Sequence, residues 1–174
     1  MADFDPVRIL RTLEGHGVRY VLIGAVAARL QGAPLLTSDL DITPADDPSN
    51  LAALTAALKE LGARLRTAND PEGVDFPLEP EMLAASSSWT LITRFGDLDL
   101  VFQPSGSFGY RDLARDAQPL RVAEDLPVTV MVASLADVIR TKEAAGRDKD
   151  RAAMPLLRKT LEESYRRRPG PSSA

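Results

Sequence analysis

The chain of 174 residues has no cysteine and a single histidine, His16. Without thiols there is no disulfide framework, no thiolate metal site and no cysteine nucleophile. One imidazole is too few for a zinc centre of the usual kind. His16 lies between Gly15 and Gly17 at the end of a helical pattern, which suits a loop or helix-dipole role better than catalysis. Long apolar runs are missing too, and none approaches the roughly 20 residues that a membrane helix needs. The opening MADFDPV lacks the basic-then-apolar order of a secretory leader. A cytoplasmic protein with no membrane partner is therefore expected. Nor is there an excess of positive charge: 21 Lys and Arg face 25 Asp and Glu, for a net charge of −4. That balance argues against indiscriminate coating of nucleic acid, so an RNA substrate would need a local basic surface.

What is present is the composition of a globular protein, with 44% hydrophobic and 26% charged residues. The length suits one domain with a proper core. We expect that domain over residues 1–168, with a core of 1–133, C-terminal helices over 134–165 and a flexible tail over 169–174.

The stretch from Val18 to Ile42 organises the rest. Val18 to Ile23 is apolar, aromatic or β-branched, as a buried strand should be. Gly24 permits a tight turn, and the short helix that follows over Ala25 to Gln31 would have free N–H groups at its start. A second strand then carries Asp39 and Asp41, whose side chains leave one face with Cα atoms roughly 7 Å apart. Leu40 and Ile42 point the other way, into a core. Close carboxylates repel unless a cation lies between them, and hard oxygen ligands suit Mg²⁺ with nucleotide phosphates. A surface strand with two solvated aspartates is the competing reading of the same residues.

Asp5-Pro6 opens a first helix and Asp47-Pro48 another, whose Leu51, Leu54, Leu58 and Leu61 form a core stripe closed by Gly62. Ala63 to Thr67 reads as an edge strand with Arg64 and Arg66 on its solvated face. Residues 69–80, rich in proline and acid, read as an irregular insertion. After the Ser86-Ser87-Ser88 turn comes a hairpin, TLITRF then GDLDLVF, in which Asp97, Asp99 and Val101 share a face. An acid within so apolar a strand is costly unless paired or metal-bound. Asp99 fits that role better than Asp97, which the turn explains. The loop QPSGSFGY has no P-loop spacing, and Val128 to Val132 is a further buried strand.

Ser134 and Asp137 form a capping-box start for a helix that ends at Gly146. Its apolar stripe, Leu135, Val138 and Ile139, continues onto Lys142, which either snorkels outward or points its ammonium into a cleft. In the next helix Asp150 falls on the stripe of Met154, Leu157 and Leu161, where it is either a first-turn acid favoured by the dipole or a buried functional group. Pro155 should kink or restart that helix.

Two blocks carry a resemblance. Gly24-Ala25 with Thr37-Ser38-Asp39-Leu40-Asp41-Ile42 resembles the signature of the nucleotidyltransferase superfamily. The pattern Ser-Leu-x-Asp-Val-Ile-x-x-Lys-x-x-Ala-x-Arg-x-Lys-Asp from Ser134 to Asp150 resembles the second block of AbiEii/MenT-like minimal nucleotidyltransferases, many of them toxins of toxin–antitoxin pairs. Ala25 departs from the usual glycine or serine, and Leu35-Leu36 stands where many relatives carry an arginine. The resemblance implies an α+β fold, a mixed β-sheet flanked by helices with C-terminal helices closing the cleft. It implies Mg²⁺ held by Asp39, Asp41 and Asp99, and an NTP contacted by Gly24, Ala25, Thr37, Ser38, Lys142 and Arg147. Asp39, Asp41, Asp99, Lys142 and Asp150 would be catalytic, and Tyr110 would stand near the nucleotide or simply pack its loop. The implied activity is transfer of NMP to an acceptor hydroxyl, with RNA such as tRNA 3′ ends as acceptor and an antitoxin as partner. Arg64, Arg66, Arg94, Arg111, Arg115 and Arg166-Arg167-Arg168 are the candidate RNA surface. Two alternatives stand beside it: an inactive binding module of the same fold, acting as antitoxin or regulator, and a small-molecule nucleotidyltransferase.

Overall fold

The computed structural model describes residues 4–123 and 126–167. The elements are α1 (Pro6–Gly15), β1 (Tyr20–Ile23), α2 (Gly24–Leu30), β2 (Asp39–Pro44), α3 (Pro48–Leu61), β3 (Arg64–Thr67), β4 (Asp70–Val74), α4 (Pro80–Ala84), β5 (Ser88–Thr93), β6 (Gly96–Val101), α5 (Tyr110–Asp116), β7 (Gln118–Ala123), β8 (Leu126–Val132), α6 (Leu135–Ala145) and α7 (Asp148–Arg167). The tail expected over 169–174, and Arg168 before it, lie outside the described residues.

The strands form one mixed sheet in the order β4-β3-β5-β6-β2-β1-β8-β7. β2 lies inside it, antiparallel to β1 and parallel to β6. The period-2 alternation then sorts the faces. Leu40 and Ile42 of β2 and Leu98 and Leu100 of β6 are fully buried and join one core with the leucines of α1 and α3. The intervening acids stay half-buried on the opposite face. The architecture is α+β, as the resemblance implies, and α6 and α7 contribute one wall of the cleft over that acidic face.

Local chemistry sets the helix ends. Asp5 caps α1 by accepting from the Arg8 N–H at 3.1 Å, and Asp47 caps α3 by accepting from Asn50 at 3.2 Å. At α6 the Ser134 hydroxyl accepts from the Asp137 N–H at 3.1 Å, and Gly146 ends the helix in the left-handed region. His16 takes the C-cap of α1, with Nε2 2.6 Å from a carboxylate oxygen of Glu60.

Several expectations need correction. Residues 69–80 are not wholly irregular, because 70–74 form β4 and pair with β3. The segment is short, acidic and contains Pro71, a composition that an outermost strand tolerates and that hides it from pattern reading. β3 is consequently not an edge, since β4 and β5 flank it. The strand β7 escapes the sequence reading for similar reasons, being short with Pro119 near its start. Helix α7 neither stops nor restarts at Pro155, which lies inside a continuous helix. The proline lacks the N–H that would reach the Arg151 carbonyl, and its ring crowds that carbonyl.

Candidate active site

Register brings the acids together. In the β2–β6 pair Asp39 stands opposite Asp97 and Asp41 opposite Asp99. Carboxylate oxygens of Asp39, Asp41 and Asp99 lie within 4.8 Å of one another. Such crowding disfavours full ionisation. Burial first, then the charges of Asp39 and Asp99, push Asp41 up to about 7, against the opposing pull of Lys142 and Lys149. Burial and Asp39 also raise Asp99, with a hydrogen bond from Thr90 working the other way. Oδ1 of Asp99 is buried and has no hydrogen-bond partner among the described residues. A cation is the natural partner for an orphaned carboxylate oxygen among other carboxylates. An all-oxygen donor set suits Mg²⁺ rather than zinc, so these residues fit the expected metal.

Two further features shape the acid cluster. The Thr37 hydroxyl donates to Oδ1 of Asp39, which orients that carboxylate. Gly24 opens α2 with φ +71°, and a Cβ added there would stand 2.1 Å from Oδ2 of Asp41. The backbone at the head of α2 can therefore lie against Asp41 only where there is no side chain. Ala25 also faces the cleft but brings no hydroxyl.

The helical wall supplies the positive charge. Asp150, in the first turn of α7, is 0% exposed. Its Oδ1 accepts from Nζ of Lys142 at 2.9 Å and its Oδ2 from Nε of Arg147 at 2.6 Å. Burial alone would raise this carboxyl, but the hydrogen bonds from Arg147 and Lys142 outweigh it and hold Asp150 below the ordinary carboxylate range.

The acids share a cleft of about 450 Å³ with Gly24, Ala25, Thr37, Lys142 and Arg147. Ser38 is exposed and outside the cleft lining, and Asp150 stands behind the two cations it holds. Tyr110 is not at this cleft either; it lines a second groove with Phe102 and Phe108. Asp97 pairs with Arg66 at 2.7 Å, and Arg64 pairs with Asp75 at 3.1 Å. Sequence reasoning gave no site role to Lys149, Ser105 and Thr141, all of which line the cleft, or to Leu36, 97% exposed on its rim. Of these only Lys149 had a signal, its place between Arg147 and Asp150 in the stretch RDKD.

The chain is similar to the lincosamide antibiotic adenylyltransferase LnuA in its lincomycin-bound crystal structure, with a TM-score of 0.58 and 15% identity over 89% of this chain and 95% of that one. It is also similar to the Thermotoga maritima protein TM1012, assigned as a nucleotidyltransferase, with a TM-score of 0.53 and 18% identity over 93% and 97% of the two chains. The fold is that of a nucleotidyltransferase. No family model matches the sequence, and no curated protein aligns with it. At such identities the nucleotidyltransferase likeness carries the architecture alone.

Proposed function

We propose that the protein is a metal-dependent nucleotidyltransferase that moves NMP from an NTP to an acceptor hydroxyl. The observation that carries this reading is the Asp39–Asp41–Asp99 cluster, with its orphaned Asp99 oxygen, facing cationic helices across one cleft. The three acids would hold Mg²⁺. When bound, that ion offsets the triphosphate charge and the charge developing at the α-phosphorus.

The chain's own residues do the rest by positioning and electrostatics. Gly24 leaves room for backbone against the acids, and Thr37 fixes Asp39. Lys142 acts as a compact charge on the triphosphate, with Asp150 as its positioning residue and Arg147 beside it. The acceptor oxygen bonds to the α-phosphorus as the bond to the β-phosphate's bridging oxygen breaks. Pyrophosphate leaves with that electron pair, and the acceptor proton passes to a carboxylate oxygen of Asp99 that the cation would leave free.

For the acceptor, the resemblance supports RNA, such as a tRNA 3′ end, in a toxin neutralised by an antitoxin. One observation favours a small hydroxyl-bearing molecule instead. The arginines expected to hold RNA are largely engaged within the chain: Arg64 and Arg66 as above, Arg94 on the Glu60 carbonyl, and Arg115 on Asp112 and Asp116. The lincosamide enzyme, whose fold this chain shares, was solved with a small molecule bound.

The test is incubation with labelled NTPs and Mg²⁺, with total tRNA in one arm and hydroxylated small molecules in the other, beside an Asp41→Ala variant. We expect label to enter an acceptor with the wild type only. Equal transfer by both proteins, or by neither, refutes the reading.

A further inference from the structure

Lys149 has no part in the reading above. It stands in the first turn of the 20-residue helix α7, exposed, and lines the acid cleft. Its charge is felt at Asp41. The other cations of this wall are already committed, since Lys142 and Arg147 both pair with Asp150. The neighbouring Arg151 pairs with Asp148. The Lys149 side chain makes no hydrogen bond or ion pair among the described residues. Its position is also unfavourable for the helix, because a positive charge in the first turn opposes the macrodipole. A lysine that opposes its helix dipole and pairs directly with no acid, yet lines the acid cleft and acts on Asp41 only at a distance, calls for a ligand to explain it.

We propose that Lys149 binds the outer phosphates of the incoming nucleoside triphosphate, an inference that rests on the nucleotidyltransferase reading. With the α-phosphate at the acid cluster, the β- and γ-phosphates must extend towards positive charge. Lys142 and Arg147 share one buried carboxylate and so present a partly neutralised pair. Lys149 presents its full charge on a flexible stem, suited to phosphates that leave together as pyrophosphate. The selectivity that follows is for the number of phosphates, not for the base.

The experiment is calorimetric titration of the full chain and of Lys149→Met and Lys149→Arg variants. The ligands are ATP, GTP, CTP and UTP with Mg²⁺, the matching monophosphates, and inorganic pyrophosphate. For the NTP that the wild type binds best, Lys149→Met should weaken binding roughly 10-fold, the scale of one charge-assisted hydrogen bond. Pyrophosphate should weaken in parallel, the monophosphate should stay within about 2-fold, and Lys149→Arg should recover most of the loss. Lys149 is exposed, so the melting temperature should not fall in either variant. Equal weakening of triphosphate and monophosphate, or an unchanged triphosphate affinity, overturns the assignment of Lys149 while the parent reading stands. A wild type that binds none of these nucleotides overturns both.

Discussion

Replacing Asp150 by asparagine removes one negative charge from the most buried ionic group beside the cleft. The carboxylate is fully buried, and the Lys142 side chain that it holds is 13% exposed, whereas the Arg147 side chain is 59% exposed. Removing one partner of a buried pair costs about 3–5 kcal/mol. Arg147 regains water here, so the Lys142 half dominates, and about 2–3 kcal/mol is expected. For a chain of this length that lowers the melting temperature by roughly 5–10 °C. The mechanism makes a second demand. Once Lys142 is removed as well, no ammonium is left stranded, so Lys142→Met with Asp150→Asn should cost about 1–2 kcal/mol less than the sum of the single changes. The pH dependence has a definite sign. Asp150 is held below its unfolded value, so its contribution is present above about pH 4 and is lost as the pH falls through the folded value. Wild-type and Asp150→Asn stabilities should therefore converge in acid and separate towards neutrality. Urea unfolding of all four proteins across pH 3 to 8 measures this. A single-variant cost below about 0.5 kcal/mol, or strict additivity in the cycle, refutes the argument that a buried charge is stranded.

Gly24→Ala should cost about 1–2 kcal/mol from the left-handed backbone and should displace Asp41, whose Oδ2 lies 2.1 Å from the added Cβ. Mn²⁺ binding and nucleotidyl transfer at wild-type levels in this variant would count against a site built on that close approach. Asp41, at about 7, is raised above its unfolded value, so the metal-free fold should lose stability as the pH climbs from about 4 to 7, with the loss complete above that. Added Mg²⁺ should then raise the melting temperature more at pH 8 than at pH 5.5; equal shifts at both would show that no such proton is displaced.

Much of this was readable from residue order alone, and the limits have physical causes. Alternation in DLDI and DLDL places acids on one face and leucines on the other, whatever the neighbours are. Caps at Asp5, Asp47 and Ser134 are local, so they appear in sequence as they do in space. The parallel register sets Asp99 opposite Asp41 in the acid cluster and leaves Asp97 to Arg66. That register is a long-range property, and no pattern within one strand contains it. β4 and β7 were hidden because outer strands need little apolar surface and accept proline. Lys149 was passed over for the opposite reason: attention to the apolar stripe of α7 skips an exposed position, although its place in RDKD and a charge set against the dipole both mark it.

The distribution of charge around the cleft has a consequence for the proposed reaction. Positive side chains reach the acid cluster from α6, from Arg147 after it, and from α7, so a polyphosphate leaving group is drawn to that side. On the other side, beyond Asp99, the sheet presents an exposed Thr90 and an Arg66 already paired with Asp97. An acceptor approaching over β5 and β6 thus meets a surface of little net charge. Binding through several phosphates would need unpaired cations there, and each would add to the salt dependence. A neutral hydroxyl compound would need only hydrogen-bonding groups and the proton acceptor proposed at Asp99. The pairing of Arg66 with Asp97 therefore weighs on the identity of the acceptor as much as the acid cluster weighs on the chemistry.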